Sequence, residues 1–405
     1  MRRPLVAIFL VVLVDILGLT IMLPLLPLYA EHYGASAFVA SLLQTAYAFC
    51  SLISGPILGR ISDRTGRKPL LAVSQVGTLA GFILLAQAPS LFWIFVARVI
   101  DGLTAGNLSL AQAYISDVTE AKDRAKSFAL IGIAFGVGFF FGPWVSGWLA
   151  HIDMRYPIYL AAGLSALSIA ATLILLPGAP PNAAPAAGEP AGRRVSIFSF
   201  GAYMQYFKRP VLGRLLLEFL AFAFAFTTFT SGFALFAERR LVYDGHPFTS
   251  REIGWAYAYS GFVGIILQGG LIGRLVKKFG EARLIRISWL FSVAGYALLA
   301  LPSHLWPLLA VATLVTIGHG SCRPVLTSLI TQNAGRDEQG VVLGLTQSLN
   351  AVAQTLSPIL GGFLIGEGQL AAWTWVAAAT AAVGLVLSFS GRAREAAVAT
   401  TPPPA

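Results

Sequence analysis

Long apolar runs, interrupted by short clusters of charge or by turn residues, organise this chain of 405 residues. They fall near 5–29, 38–60, 70–88, 91–116, 126–150 and 157–176, then near 211–237, 252–274, 284–302, 305–331, 340–366 and 370–390. Each has about the 20 apolar residues that a helix needs to cross a bilayer. The pattern therefore predicts an all-α integral membrane protein with twelve transmembrane helices in two six-helix bundles, 1–176 and 211–390. Between them, residues 177–194 read PGAPPNAAPAAGEPAGRR, too rich in proline for a helix and too polar to pack. Residues 177–210 are thus expected to form a linker, and 391–405 a disordered tail.

Composition supports this assignment. The hydrophobic share is 56% and the charged share 11%, against roughly 25% charged in soluble domains. The 41 glycines and 22 prolines suit membrane helices, where neighbours satisfy the backbone groups these residues free. A net charge of +10 invites a nucleic-acid reading, but no basic domain or aromatic-interleaved stripe is present to carry it. The cations instead segregate. With Arg2 and Arg3 placed inside, all Lys and Arg fall on the cytoplasmic side except Arg98, Arg155, Arg239, Arg240, Arg251 and Arg323. That asymmetry predicts that both termini are cytoplasmic. The N-terminal run extends to about Ala30, passes through Asp15 and lacks a small-residue cleavage pattern, so it reads as a retained first helix. Cys50 and Cys322 sit in apolar runs without metal-ligand spacing, and no metal or cofactor is expected.

The halves repeat. Gly59-Arg60-Ile61 with Gly66 recurs as Gly273-Arg274-Leu275 with Gly280, an offset of 214. Gly142-Pro143-Trp144-Val145-Ser146-Gly147 recurs as Ser357-Pro358-Ile359-Leu360-Gly361-Gly362, with Pro143 and Pro358 offset by 215. Parallel six-helix repeats place a transport site at the interface of the halves.

The loop Gly59-Arg60-Ile61-Ser62-Asp63-Arg64-Thr65-Gly66-Arg67-Lys68 resembles the GxLxDRxGR[RK] signature between the second and third helices of the major facilitator superfamily. Gly59 would let helices approach, Gly66 would make a tight turn, Asp63 would accept from a helix N-terminus, and the cations would face the anionic leaflet. In the fifth run, Gly138, Gly142-Pro143 and Gly147 are similar to the superfamily's antiporter motif, with Ser146 in place of one glycine. Small residues there permit close contact and Pro143 bends the helix, as a pivoting surface requires. With Asp15-Ile16-Leu17-Gly18 in the first run and Arg98-Val99-Ile100-Asp101-Gly102 in the fourth, the chain resembles the drug/proton antiporters, tetracycline exporters in particular. It departs from the latter at Ser51, where they carry glutamine, and in having no acidic residue in its third and ninth runs.

Charges within a span cost about 2.5–3.5 kcal/mol on insertion scales, so each needs a partner or a wet cavity. Asp15 is the leading candidate proton carrier, with Gly18 and Met22 on its helix face. Arg98 and Asp101 are spaced to pair on one helix, serving either as an internal ion pair or in the proton pathway. Glu218 follows Arg214 by one turn and serves coupling or snorkels with it to the interface. Arg323, before Pro324, meets an anionic substrate group or caps freed carbonyls; His319, one turn earlier, titrates or packs. Candidates for a central substrate cavity are Gln44, Tyr47, Tyr114, Tyr257, Gln268, Gln347 and Asn350, a lining suited to a planar amphipathic molecule.

The chain lacks GxxxxGK[ST], HExxH and GxSxG motifs, which argues against ATP-driven transport and intramembrane hydrolysis. The expectation is a secondary transporter, functional as a monomer, that exports a small amphipathic, drug-like molecule, tetracycline-like compounds among the candidates, in exchange for protons by alternating access. Proton-coupled movement of a metabolite or siderophore-like chelate, in either direction, is the alternative.

Overall fold

The computed structural model describes residues 3–119, 124–177, 200–335 and 338–399. Most of the expected linker (178–199), the end of the expected tail (400–405) and the cations Arg2, Lys122, Arg193, Arg194 and Arg336 lie outside the described residues. The first half comprises α1 (Arg3–His32), α2 (Ala37–Thr65), α3 (Arg67–Ala86), α4 (Leu91–Leu103), α5 (Asn107–Val118), α6 (Arg124–Ile152) and α7 (Tyr156–Leu175). A short helix, α8 (Phe200–Lys208), leads into α9 (Pro210–Arg240), and a small hairpin, β1 (Val242–Tyr243) with β2 (His246–Pro247), follows. The second half continues through α10 (Ser250–Ile266), a π-helical turn at Leu267–Leu271, α11 (Ile272–Phe279), α12 (Glu281–Leu298), α13 (Leu305–Gln332), α14 (Gln339–Gly366) and α15 (Leu370–Ala399). Pairing α4 with α5, and α10 with α11 through the π turn, gives the twelve expected spans. Eleven are long and apolar enough to cross a membrane; the other is α12, whose first turns carry Glu281, Arg283 and Arg286.

Local chemistry sets the boundaries. The Ser36 side chain accepts from the Val39 N–H at the start of α2, and Thr249 and Glu252 form a reciprocal capping box on α10. Gly66 and Gly280, 214 positions apart, end α2 and α11 at φ +95° and +73°, a region that only glycine enters freely. The fourth span is broken at residues 104–106 rather than continuous. Ser74 stabilises the break by donating to the Thr104 carbonyl and accepting from Gly106 N–H at 2.9 Å, so both freed backbone groups stay satisfied. The segment read as linker contains the short helix α8, and α15 continues through 391–399, which corrects the expectation of a disordered tail there.

The interiors of the halves differ. In the first half the apolar core is split into one cluster around Tyr29, Phe82 and Leu85 and another around Ile8, Leu71 and Tyr114. In the second half one continuous cluster contains Phe219, Phe236, Trp289, Tyr296 and Trp373.

Candidate functional site

Two helix pairs form the seam between the halves, α6 with α10 and α2 with α14. At one end they touch backbone to backbone. A Cβ on Gly147 would stand 2.5 Å from the Ser250 carbonyl, on Gly254 2.5 Å from the Pro143 carbonyl, and on Gly261 2.6 Å from Phe139. On the second pair, a Cβ on Gly362 would strike Ser41, and the Thr45 hydroxyl donates to the Thr355 carbonyl at 3.0 Å. Glu31 and Arg239 close the same end with a 2.5 Å ion pair from α1 to α9. Following the same helix faces toward the other end, a Cβ on Gly55, Gly59, Gly269, Gly273 or Gly344 would meet nothing within 4 Å. The halves therefore pack at the Glu31/Arg239 end and part at the Gly66/Gly280 end. This corrects the expectation for Gly59: a Cβ there would border open space, with no helix packed against it.

Asp15 lies between the two apolar clusters of the first half. With Val14, Gly18, Thr78, Phe82, Asn107, Ala161 and Ser165 it lines a cavity of about 20 Å³, room for one water-sized molecule. Gln75 and Ser168 face its carboxylate, and Gln75 Nε2 donates to Ser168 Oγ at 2.7 Å. The carboxylate thus points into the first half's own interior. Arg98 and Asp101 pair as expected, both buried, and the guanidinium lies 5.2 Å over the Tyr47 ring. Asp101 also faces Thr78, which extends the polar layer across α3.

At the parted end, Asp63 departs from its expected role: it pairs with Arg67 at 2.6 Å instead of accepting from a helix N-terminus. Arg67 also bonds Asp117 at 2.9 Å, while Lys68 donates to the Leu173 carbonyl near the end of α7. Arg64 is exposed. This latch ties α2, α3, α5 and α7 together within the first half. In the second half, Arg209 grips Glu338 through two bonds of 2.5 and 2.7 Å, which hold the Glu338 carboxyl below the usual glutamate range.

The antiporter-like glycines serve two surfaces. Gly138 and Gly142 face α1, where Thr20 Oγ1 donates to the Gly138 carbonyl at 2.9 Å and would lie 2.1 Å from a Cβ on Gly142. Gly147 and the Pro143 carbonyl face α10.

Glu218 is 1% exposed and stands 3.8 Å from Arg214, enclosed beside Trp289 instead of reaching outward with Arg214, which corrects the snorkelling alternative. Its Oε2 has no partner among the described residues. His319 packs against Phe226, ring centroids 4.9 Å apart. Two cavity candidates are likewise corrected. Tyr114 is buried and donates to the Pro177 carbonyl, and Tyr257 is buried and donates to the Thr230 carbonyl; each hydroxyl drew its ring into the core of its own half. Gln268, Arg323 and Gln347 are exposed, and Gln44, Tyr47 and Asn350 are half-buried.

The family model for the Major Facilitator Superfamily matches residues 8–356, and again 242–404. The chain belongs to the major facilitator superfamily. Curated relatives include the class H tetracycline resistance protein of Pasteurella multocida, 28% identical over 90% of this chain and 89% of that one. Multidrug resistance protein 1 of Bacillus subtilis is 27% identical over 93% of each, and the quinolone resistance protein NorA of Staphylococcus aureus 23% identical over 92% of each. Among solved structures, the human organic anion transporter MFSD10 aligns over 96% of this chain and 99% of its own, with a TM-score of 0.72 at 22% identity. The nucleoside transporter NupG aligns over 97% and 99%, with a TM-score of 0.73 at 16% identity. The protein is thus a multi-pass membrane transporter, not an enzyme.

Sequence reasoning missed several residues of this major facilitator transporter. Gln75, Ser168, Thr78 and Asn107 surround Asp15 from three other helices, and their signal was only that polar side chains interrupt apolar runs. Thr20 and the Glu31–Arg239 pair left no local signal, since the partners are far apart along the chain.

Proposed function

We propose that this transporter exports a small amphipathic, drug-like molecule in exchange for protons by alternating access. The carrying observation is Asp15, a carboxylate set in a polar layer beside a water-sized cavity, on a helix that packs directly against α6. A carboxylate in that setting can take up and release a proton as the seam opens and closes. Arg98 and Asp101 extend the layer, and Glu218 is the counterpart candidate in the second half. The names of the relatives, which refer to tetracycline, quinolone and multidrug resistance, support export of such molecules, with a tetracycline-like compound among them.

The cation count supports a cytoplasmic Gly66/Gly280 end and cytoplasmic termini. The conformation described is then inward-open. Gln44, Tyr47, Gln268, Gln347 and Asn350 would meet substrate along the seam. Release outward would require the Glu31–Arg239 end to part and the Gly59, Gly273 and Gly344 faces to close, with the latch of Gly66, Asp63, Arg64, Arg67 and Lys68 rearranging. Both halves of this pathway lie in one chain, so a monomer in a bacterial inner membrane suffices.

Inside-out vesicles from expressing cells test the reading. An imposed proton gradient, acidic inside, should drive uptake of tetracycline or a quinolone, and a protonophore should abolish it. Uptake that persists after the protonophore would refute coupling. Growth of expressing cells on a panel of such compounds, against cells without the protein, should show resistance to at least one.

A further inference from the structure

Arg323 sits on α13, nine residues before the helix ends at Gln332, or roughly 14 Å along the axis at 1.5 Å per residue. It lies deep along the span yet borders open space. Its guanidinium makes no ion pair among the described residues and donates to none of their carbonyls, which argues against the capping alternative. What it meets is Phe135 of the other half, 5.6 Å from its ring centroid. The carboxylates that could neutralise it are committed elsewhere: Asp15 faces Gln75 and Ser168, Asp101 pairs with Arg98, and Glu218 is enclosed with Arg214 and Trp289. The other candidates along the seam, Gln44, Tyr47, Gln268, Gln347 and Asn350, are neutral.

A cation at this depth with only a ring face beside it is costly to keep, and an intramembrane charge without a counter-charge marks a ligand pathway. A planar guanidinium fits a carboxylate or sulfonate through two parallel hydrogen bonds, which an ammonium cannot copy. Beside it, Phe135 stacks toward Phe139 with centroids 6.4 Å apart, a flat apolar surface next to a fixed positive charge. We infer that the substrate is a planar aromatic organic anion, its acidic group held by Arg323 and its ring system laid against Phe135. This rests on the seam being the substrate route, and it narrows the substrate from amphipathic molecules in general to anionic ones.

The test uses three matched probes: 2-naphthoate, 2-naphthalenesulfonate and (2-naphthylmethyl)ammonium. Binding to the purified full-length protein is titrated without a proton gradient. The two anions should bind, and the ammonium should bind at least about tenfold more weakly. Arg323→Gln should weaken the anions by roughly tenfold to a hundredfold, the range for losing a hydrogen bond to a charged group, while ammonium binding stays the same or improves. Arg323→Lys, which keeps the charge and provides a folding control, should fall in between. The inference is overturned if the ammonium binds as well as the anions, if Arg323→Gln binds the anions unchanged, or if no naphthalene probe binds. Because no gradient is present, these outcomes are independent of proton coupling: anions that bind as described but move in protonophore-treated vesicles would defeat the coupling and leave the anion site standing.

Discussion

The two halves share a backbone plan and differ in what fills it. At pseudo-equivalent positions the close approaches are preserved: Gly77 against Thr104 corresponds to Gly318 against Ser292, and Gly81 against Asp101 to Gly295 against Val315. The side chains between them have diverged. Gln75, bonded to Ser168, occupies the place that Trp289 fills against Gly384, and Asp101 the place of Val315. The first half thereby carries a hydrogen-bonded polar layer that splits its apolar core, whereas the second is one continuous aromatic and aliphatic mass. The duplication has kept the close helix approaches, while the hydrogen-bonded polar layer belongs to the first half alone; buried charges stand in both, Arg98 and Asp101 in the first and Glu218 and Glu252 in the second.

Swapping the acids sharpens this contrast most. Asp15→Asn should reduce gradient-driven uptake in inside-out vesicles by about two orders of magnitude or more, the scale of losing a proton-transfer group. Glu218→Gln should cost less, because Glu218 sits in an apolar surround with one loose ion pair. Equal losses from the two substitutions would erase the proposed asymmetry.

The paired glycines offer a finer probe. In Gly295→Ala the new methyl group lies 2.8 Å from the Val315 backbone nitrogen, which cannot yield. Destabilisation of about 1–3 kcal/mol is expected, read as a lower thermal midpoint of the detergent-purified protein. In Gly81→Ala the contacts are longer, 3.0 Å to the Asp101 Cβ and 3.3 Å to the Ala97 carbonyl, and a smaller displacement of α4 relieves them. The thermal midpoint should move less, and uptake should fall more, than with Gly295→Ala.

The smallest effect concerns the exposed ends. Burial hardly contributes at Glu338, whose carboxyl is lowered by its two bonds to Arg209. A depressed carboxylate adds stability that is fully present above the ordinary glutamate value near about 4.3 and is lost as the pH falls through the lower folded value. Glu338→Gln should therefore cost only about 0.2–1 kcal/mol at neutral pH, as exposed pairs do. It should also flatten the acid limb of a thermal-midpoint profile. An unchanged acid limb would remove this pair from the stability of the second half.

Much of this was readable before any coordinates. The apolar runs gave the spans, the 214-residue offset marked the duplication, and the spacing of Gly66 and Gly280 marked turns that the backbone angles require. What stayed hidden depends on contacts distant in sequence. The break at 104–106 contains no proline, and its stability comes from Ser74 on the neighbouring helix. Tyr114 and Tyr257 resemble cavity residues until their hydroxyls find carbonyls within their own halves. Asp15 was found as a charge in an apolar run, but the residues around it come from α3, α5 and α7, and nothing local to α1 names them.

Thr20 stands five residues beyond Asp15, and its hydroxyl clasps the Gly138 carbonyl where α1 crosses α6. The same hydroxyl lies 2.9 Å from the Ile16 carbonyl of its own helix, so it bridges α1 and α6 within an extensive packed face. The far face of α6 bears on α10, so under the proposed mechanism a stroke that separates the halves there would be felt near Asp15. Loading the carboxylate and turning the machine would then be two readings of the same displacement.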